Sequence, residues 1–351
     1  MDLHDYSKRY LMTDISLRQR FLDSLMGKYV DKVPVCSVTQ TGTVELMEAT
    51  GTFWPDAHYD AKMMGTLAIG GYEIAGLEAV RYPFDGTAIA QTLGCTIKEG
   101  TLDSQPAVLR GPCQSKEDAL EYTIPVNFIE SDRIATILDA TVIVRERVGD
   151  DVPVIAGMVG PAAIAAFILG VKNYLMWSIT DPEIIERVVQ IGVEVCTDYS
   201  NALFERGADV ICMPDSEAGP DLLPPDSFES LFLPAYKKLC SNTSGPMILH
   251  MCGDATAILD PMANSGFEGL SIEEKVDLKY AKDIIGDRAC LIGNVAPVGT
   301  LLSSQPSEVK REAKMCIENG VDILAPGCGL APHTPIINLK ALVSARDEYY
   351  E

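Results

Sequence analysis

The chain has 351 residues, 47% of them hydrophobic, with 28 basic against 50 acidic side chains and a formal net charge of −22 at pH 7. This composition is typical of a globular protein with a sizeable core, and the charge argues against nucleic-acid and anionic-membrane partners. No apolar run approaches the ~18 residues of a membrane span, and the polar N-terminus lacks a secretory pattern, so we predict a cytoplasmic protein.

Short apolar runs alternate with longer amphipathic stretches along the chain. The runs predict strands at 33–39, 79–84, 152–158, 209–213, 247–251, 266–272, 289–293 and 321–325. Helices are predicted between them, including 132–148, 181–206, 225–240, 279–285, 307–319 and 338–349. Eight strand–helix units favour a single α/β domain, a (β/α)8 TIM barrel over residues 31–351.

Two segments fall outside this alternation. Residues 1–30 predict a short helical N-terminal extension, and part of 86–125 predicts a β-hairpin insertion after the second strand. The first strand is followed by Thr-Gln-Thr-Gly, without the glycine-rich fingerprint of a dinucleotide-binding fold. A barrel places its chemistry at the carboxyl ends of its strands.

Reactive residues follow two of these strands. An apolar strand runs into His250 and Cys252 and then breaks at a glycine, and residues two apart on a strand point to the same side. A second strand ends in a Gly-Cys-Gly turn that exposes Cys328. The other eight of the 10 cysteines are dispersed and sit mostly in apolar or helical contexts, so we expect small core residues there rather than a disulfide framework.

His250, Cys252 and Cys328 together predict a zinc site. Catalytic zinc keeps three protein ligands and one open position, whereas structural sites more often use four ligands with CxxC spacing. Two thiolate ligands make the metal a poor agent for splitting water, and they suit it to hold an incoming thiol as a thiolate at neutral pH. Such a thiolate is a nucleophile for which methyl transfer is the natural use.

The motifs together identify the chain as similar to one family. His-Met-Cys-Gly-Asp at 250–254, Pro-Gly-Cys-Gly at 326–329, Asp-Lys-Val-Pro-Val-Cys-Ser-Val-Thr-Gln at 31–40 and Gly-Phe-Glu-Gly-Leu-Ser-Ile-Glu-Glu-Lys at 266–275 resemble the methylcobamide:coenzyme M methyltransferases of methylotrophic methanogens. These enzymes are relatives of uroporphyrinogen decarboxylase. The resemblance runs from about residue 16 onwards. It implies a barrel, zinc on the three residues above, coenzyme M as acceptor and a methylated corrinoid protein, carrying a methylcob(III)alamin-type corrinoid, as donor.

Further residues at predicted strand ends are candidates for the same site. We expect Glu273 to occupy the open zinc position in the resting enzyme, the alternative being a solvated charge in a Glu-Glu-Lys run. Asp85 and Asp215 are expected to line the pocket or accept a hydrogen bond from a metal ligand, or else to cap helices or loops. Asn294 is a candidate for a substrate hydrogen bond or a turn residue.

The sulfonate of coenzyme M requires hydrogen-bond donors. The turn from Gly327 to Gly329 offers backbone N–H groups, and Arg81 and Arg288 are the visible basic candidates. His333 is expected to border the site, whereas His58 and His4 are expected to be surface or core residues.

Three other functions stay open at this stage. In one alternative, the same methyl transfer uses another acceptor thiol, such as homocysteine. In another, the chain is a decarboxylase of an acidic tetrapyrrole, but a basic cluster after Val35 is missing and zinc thiolates have no task there. In the last, it is a non-catalytic module that binds metal and corrinoid protein.

Overall fold

The computed structural model describes residues 15–351, in which a curled parallel sheet is the central element. The strands are β1 Val80–Tyr82, β2 Thr96–Lys98, β3 Ala107–Arg110, β4 Val154–Gly157, β5 Val210–Pro214, β6 Met247–Met251, β7 Gly269–Ile272, β8 Cys290–Val295 and β9 Ile323–Pro326. The order in the seven-stranded sheet is β1-β4-β5-β6-β7-β8-β9, with every pairing parallel. The predicted α/β class is confirmed, and seven of the eight predicted strands lie in this sheet.

The first predicted strand, 33–39, is shorter than expected. The structure reduces it to one parallel bridge between Val35 and Leu324 of β9. On its other side, the backbone N–H of Glu78 donates to the Val35 oxygen at 2.8 Å. On the β9 side, Pro34 has no N–H with which to extend the ladder. On the β1 side, the N–H of Val35 donates to the side chain of Glu78 at 3.0 Å instead of to a strand. The segment nevertheless forms hydrogen bonds on both sides, to Leu324 of β9 and to Glu78, which lies just before β1.

Helices pack around the sheet, with the first of them placed against its inner face. They are α1 Leu17–Leu25, α2 Val44–Thr50, α3 Ala61–Glu73, α4 Thr87–Thr92, α5 Lys116–Glu121, α6 Asp132–Val148, α7 Pro161–Leu169, α8 Val171–Thr180, α9 Pro182–Glu205, α10 Pro225–Ser227, α11 Leu233–Asn242, α12 Leu259–Ala263, α13 Leu278–Ile285, α14 Pro306–Glu318 and α15 Ile336–Tyr350. The predicted helices lie within two residues of these bounds, with one exception. The helix predicted over 225–240 is interrupted by a π-helical turn at Phe228–Phe232, because Pro234 cannot donate the next hydrogen bond.

The two faces of the sheet contribute to different cores. Val80 and Tyr82 belong to the large core between strands and helices, whereas Ala79 and Ile155 belong to a small core on the inner, concave face. Phe21 and Leu25 of α1 pack into that inner core. Helix α1 therefore fills the inner face from the amino ends of the strands, leaving the carboxyl ends as the open side.

Two further features complete the architecture. Strands β2 and β3 pair antiparallel and form a small sheet of their own between β1 and β4. Within the described chain, no single helix has the length and apolar character to span a membrane, and the apolar pair α7–α8 bends by 108° at its break.

Candidate metal centre

The structure brings His250, Cys252 and Cys328 together at the carboxyl ends of β6 and β9. The Sγ of Cys252 lies 3.2 Å from Nε2 of His250 and 3.6 Å from the Sγ of Cys328. All three ligand atoms lie within 4.8 Å of one another. His250 is 1% exposed, whereas both cysteines are half-buried. This is a compact donor set in which both thiols remain partly exposed.

Glycines allow the chain to turn sharply beside these ligands. Gly253 follows Cys252 with a φ of +80°, and a Cβ there would lie 2.1 Å from the Asp221 carboxylate. Gly327, before Cys328, would place a Cβ 3.0 Å from the backbone nitrogen of Glu274. Both positions favour glycine, for backbone conformation in the first case and for space in both.

Two serines orient the ligands. The Oγ of Ser271 lies 3.0 Å from Nδ1 of His250, which aims Nε2 at the thiols. The N–H of Cys252 donates to the Oγ of Ser216 at 3.2 Å. We expected Asp85 or Asp215 in this role, and sequence reasoning missed both serines. A usable signal existed for Ser271, because β6 and β7 are parallel neighbours and Ser271 is in register with His250.

The two thiols are strongly coupled. The hydrogen bond from Cys328, helped by His250 and opposed by burial, lowers the pKa of Cys252 to about 3. The pKa of Cys328 is raised by the same hydrogen bond and by burial. The two sulfurs therefore share one proton, and the lowered pKa lies on the Cys252 side of the pair. One imidazole and two cysteines match the donor set that zinc prefers.

Glu273 follows β7 on the same side as the thiols. Its side chain is 14% exposed, its Oε2 lies 3.8 Å from Nζ of Lys275, and its charge contributes to the raised pKa of Cys328. Its carboxylate is not within the 4.8 Å group of ligand atoms. Glu274, its neighbour, is exposed and turns toward Gly327.

Asp85 belongs to a different cluster. Its carboxylate contacts Nδ1 of His58 at 2.8 Å and Nη2 of Arg133 at 3.1 Å, and it accepts a hydrogen bond from the N–H of Thr87 at 2.8 Å. Burial opposes ionisation, but His58 and Arg133 hold the pKa of Asp85 well below its usual range. The structure therefore gives Asp85 a structural ion network and not a hydrogen bond from His250. His58 is fully buried, which agrees with the core reading.

Asp215 is likewise satisfied within the core. It accepts hydrogen bonds from the N–H groups of Ala162 and Ala163 at 3.0 and 2.7 Å and from the hydroxyl of Tyr236 at 2.7 Å. It is completely buried, and burial followed by the nearby Glu217 raises its pKa to about 7, against these hydrogen bonds. Asp215 thus caps the start of α7. Of the two roles that the sequence allows for Asp215, the contacts are those of a helix cap.

Asn294 hydrogen-bonds to the loop that follows β7. Its Nδ2 donates to the backbone oxygens of Glu273 and Val276 at 2.9 and 3.0 Å. It is 6% exposed, and its Oδ1 lies 3.7 Å from the Sγ of Cys316. The amide therefore fixes the chain that carries Glu273.

The glycine turn holds Cys328. The N–H of Gly327 donates to the oxygen of Val295 at 2.8 Å, and that of Gly329 is directed at the sulfur of Cys328. The geometry of the turn explains the first contact, because continuation of the β9 ladder uses the N–H of Gly327. Both glycine N–H groups therefore have partners within the chain, and their predicted role in anion binding stays a prediction.

The remaining candidates lie in separate places. Arg288 precedes β8 at the closed end of the sheet and contacts Asp260 at 2.9 Å. His333 is largely exposed and lies 3.5 Å from Asp103 in the β2–β3 connection, and His4 lies outside the described residues. Glu217, which sequence reasoning missed, follows β5 and has a pKa raised by burial and by the charge of Cys252.

Comparison with known proteins identifies the family. The uroporphyrinogen decarboxylase family matches residues 16–349. A methylcobamide:CoM methyltransferase of Methanosarcina barkeri is 46% identical over 97% of this chain and 100% of its own length. Another, from Methanosarcina acetivorans, is 36% identical over 96% of this chain and 99% of its own.

A solved structure supports the same family assignment. A methyltransferase from Methanosarcina mazei superposes with a TM-score of 0.94 at 45% identity, covering 96% of this chain and 100% of that one. The chain belongs to the uroporphyrinogen decarboxylase family. The resemblance to methylcobamide:CoM methyltransferases is confirmed, and so is the predicted enzyme class, a methyltransferase.

Proposed function

We propose that this chain transfers a methyl group from a methylated corrinoid protein to the thiol of coenzyme M, using zinc held by His250, Cys252 and Cys328. The observation that carries the proposal is the convergence of one imidazole and two thiols within 4.8 Å at the open end of the sheet. The full-length relatives named methylcobamide:CoM methyltransferases support the substrate pair.

The site suits a reaction between a thiol and a cobalt-bound methyl group. When bound, zinc would keep an incoming thiol deprotonated at neutral pH. In the overall transfer, a sulfur–carbon bond forms, the cobalt–carbon bond breaks with its electron pair left on cobalt, and the thiol proton goes to solvent. The products are methyl-coenzyme M and a cob(I)alamin-type corrinoid.

The chain's own residues prepare this chemistry. Ser271 holds the imidazole of His250 with Nε2 toward the thiols, and Ser216 fixes the backbone of Cys252. Asn294 anchors the backbone of Glu273, so that its carboxylate is available for the fourth position before substrate arrives. Burial of His250 and partial burial of both cysteines limit access of water.

We also infer that the sheet closes into a (β/α)8 barrel over residues 31–351. The hydrogen bonds that Val35 and its neighbours form with Leu324 and Glu78 support closure by the first strand segment. In the same proposal, β2 and β3 are a hairpin insertion, and residues 1–30 are an N-terminal extension to which α1 belongs.

Metal content and thiol-dependent demethylation of free methylcobalamin test the function. We expect one zinc per chain and turnover with coenzyme M but not with homocysteine, followed by the visible spectrum of the corrinoid. Turnover with homocysteine alone would replace the acceptor. Zinc without turnover for any thiol would favour the binding module, and absence of zinc would contradict the mechanism.

A further inference from the structure

Arg81, in the middle of β1, points to the inner face of the sheet. Its neighbours Val80 and Tyr82 pack in the outer core, and Ala79 packs in the inner core, so alternation along the strand places Arg81 inside. Arg81 is 6% exposed. A charged side chain has thus been taken out of water at the centre of the curled sheet.

The guanidinium is only partly satisfied. Its Nε donates to the Val38 oxygen at 3.3 Å, and its Nη1 donates to the Pro83 oxygen. Within residues 15–351, no carboxylate lies within 4.0 Å of the Arg81 guanidinium, and its Nη2 donates no hydrogen bond. The Asp85 carboxylate stabilises it only at longer range and is already paired with His58 and Arg133. A buried cation is costly unless an anion compensates it, so this arrangement calls for a negatively charged partner.

The sheet leaves room for that cation. A Cβ at Gly157 of β4 would lie 2.2 Å from Nη2 of Arg81, so only glycine accommodates the guanidinium there. Gly157 is in register with Cys212 of β5, and Cys212 is in register with Ile248, two residues before His250. Side chains two apart on a strand stack along one face. The guanidinium therefore lies about one layer of side chains below the metal ligand.

The thiol of Cys212 lies near both the Arg81 guanidinium and the Cys252 thiol. Burial raises the pKa of Cys212 to about 12, while Arg81 acts to lower that pKa and Cys252 acts to raise it. Cys212 is therefore close to the guanidinium and to the metal-site thiol at once. This agrees with the layer assignment from the strand register.

We propose that Arg81 binds the sulfonate of coenzyme M, an inference that rests on the proposed function. The planar guanidinium can donate from Nη1 and Nη2 to two sulfonate oxygens, as in other fork-like oxyanion contacts. With the sulfonate held below, the two-carbon spacer extends upward and presents the thiol to the metal ligands. The free side of the sulfur then faces the open end of the sheet, from which the methyl donor arrives.

This assignment selects between the two arginines that the sequence offered. Arg288 is bound to Asp260 at the opposite end of the strands. Arg288→Met is therefore a matched control, because it removes a guanidinium that lies far from the site.

The test compares coenzyme M with 2-mercaptoethanol, which has the same spacer and no sulfonate, in demethylation of free methylcobalamin. The ratio of their kcat/KM values should fall about 10- to 100-fold in Arg81→Met, because a charge-assisted hydrogen bond is lost. Arg81→Lys should recover part of the ratio, and Arg288→Met should keep the wild-type ratio. Gly157→Ala, which keeps the charge but displaces the guanidinium, should lower the ratio as well.

A binding measurement separates this proposal from the proposed function. Calorimetric titration with 2-(methylthio)ethanesulfonate requires no turnover, and Arg81→Met and Gly157→Ala should each weaken its binding. If wild-type protein transfers no methyl group to any thiol but this difference persists, the proposed function fails and the anion site stands. Folded variants that match the wild type in both the kcat/KM ratio and the titration would overturn the role of Arg81, and if Arg81→Met does not fold, Gly157→Ala decides.

Discussion

Two titratable clusters lie at the carboxyl ends of the parallel strands, and they differ in how fully their polar atoms are paired. In the cluster around Asp85, the carboxylate is occupied by His58, Arg133 and Thr87. In the cluster of His250, Cys252 and Cys328, the candidate ligand atoms contact one another and both thiols stay partly exposed. Position at a strand end thus does not by itself make a reactive site. A group reacts there when its surroundings leave it capacity for a ligand.

Cys252→Ala should have the largest effect of the substitutions considered, on both zinc content and turnover. Zinc should be lost and turnover should fall by more than about 100-fold, because even a partner that only orients a ligand is worth about 10- to 100-fold. The fold should persist, since the substitution removes a single sulfur from a half-buried position. Metal analysis and methylcobalamin demethylation measure both effects. Cys240→Ala, at a half-buried cysteine on α11, is the control, and a Cys252→Ala protein with normal zinc content would refute the ligand set.

Asp85→Asn should affect stability and leave the metal in place. It breaks a buried ion pair with Arg133, for which about 3–5 kcal/mol of unfolding free energy is expected to be lost. Denaturant unfolding measures the loss, and zinc content provides the control. A stable variant that has lost zinc would instead place Asp85 in the metal site.

The acid dependence of stability follows from the same ion pairing. The pKa of Asp85 is lower in the folded protein than in the unfolded chain, where it is about 4. The stabilisation is therefore complete above about pH 4 and is lost as the pH falls toward the folded value. Asp85→Asn should remove this part of the acid dependence, and unfolding curves between about pH 3 and pH 7 would show it.

Ser271→Ala should weaken the metal centre without destroying it. The hydroxyl that orients His250 is removed, and zinc affinity should fall about 10- to 100-fold. Competition with a chelator measures the affinity. Ser265→Ala, a buried serine that donates to a backbone oxygen elsewhere, should leave it unchanged. Equal affinities for both variants would mean that the imidazole needs no such support.

Tyr236→Phe should have the smallest effect. It removes one of three hydrogen bonds to Asp215, worth about 0.5–1.5 kcal/mol of stability, with no change in turnover. Tyr199→Phe is a matched control, because that buried hydroxyl has no hydrogen-bond partner in the described part of the chain. A large loss of activity in Tyr236→Phe would mean that Asp215 acts in the reaction.

The sequence predicts elements well where local pattern and tertiary structure agree. The strand at 247–251 and the helix at 132–148 have the predicted bounds, since apolar runs and helical periodicity both coincide with burial there. Pro161–Leu169 has no such pattern, because eight of its nine residues are buried and it is apolar on all sides. The first strand fails for another reason, since Pro34 lacks an N–H on the β9 side and Glu78, 43 residues away, takes the N–H of Val35 on the β1 side.

The site shows the same division. The cluster of His250, Cys252 and Cys328 could be predicted because strand alternation and strand-end position bring these side chains together without knowledge of distant contacts. The roles of Asp85 and Asp215 could not, because they depend on Arg133 and Tyr236, which lie 48 and 21 residues away along the chain. Arg81 was recognised only as a basic residue, and the space left by Gly157 is visible only in three dimensions.

X-ray absorption at the zinc edge of the loaded protein tests the central claim most directly. Without substrate, we expect two sulfur ligands at about 2.3 Å and a nitrogen ligand at about 2.0–2.1 Å, from Cys252, Cys328 and His250. Addition of coenzyme M should raise the sulfur count from two to three. A spectrum with only nitrogen and oxygen ligands, or a sulfur count that does not change with coenzyme M, would contradict the account.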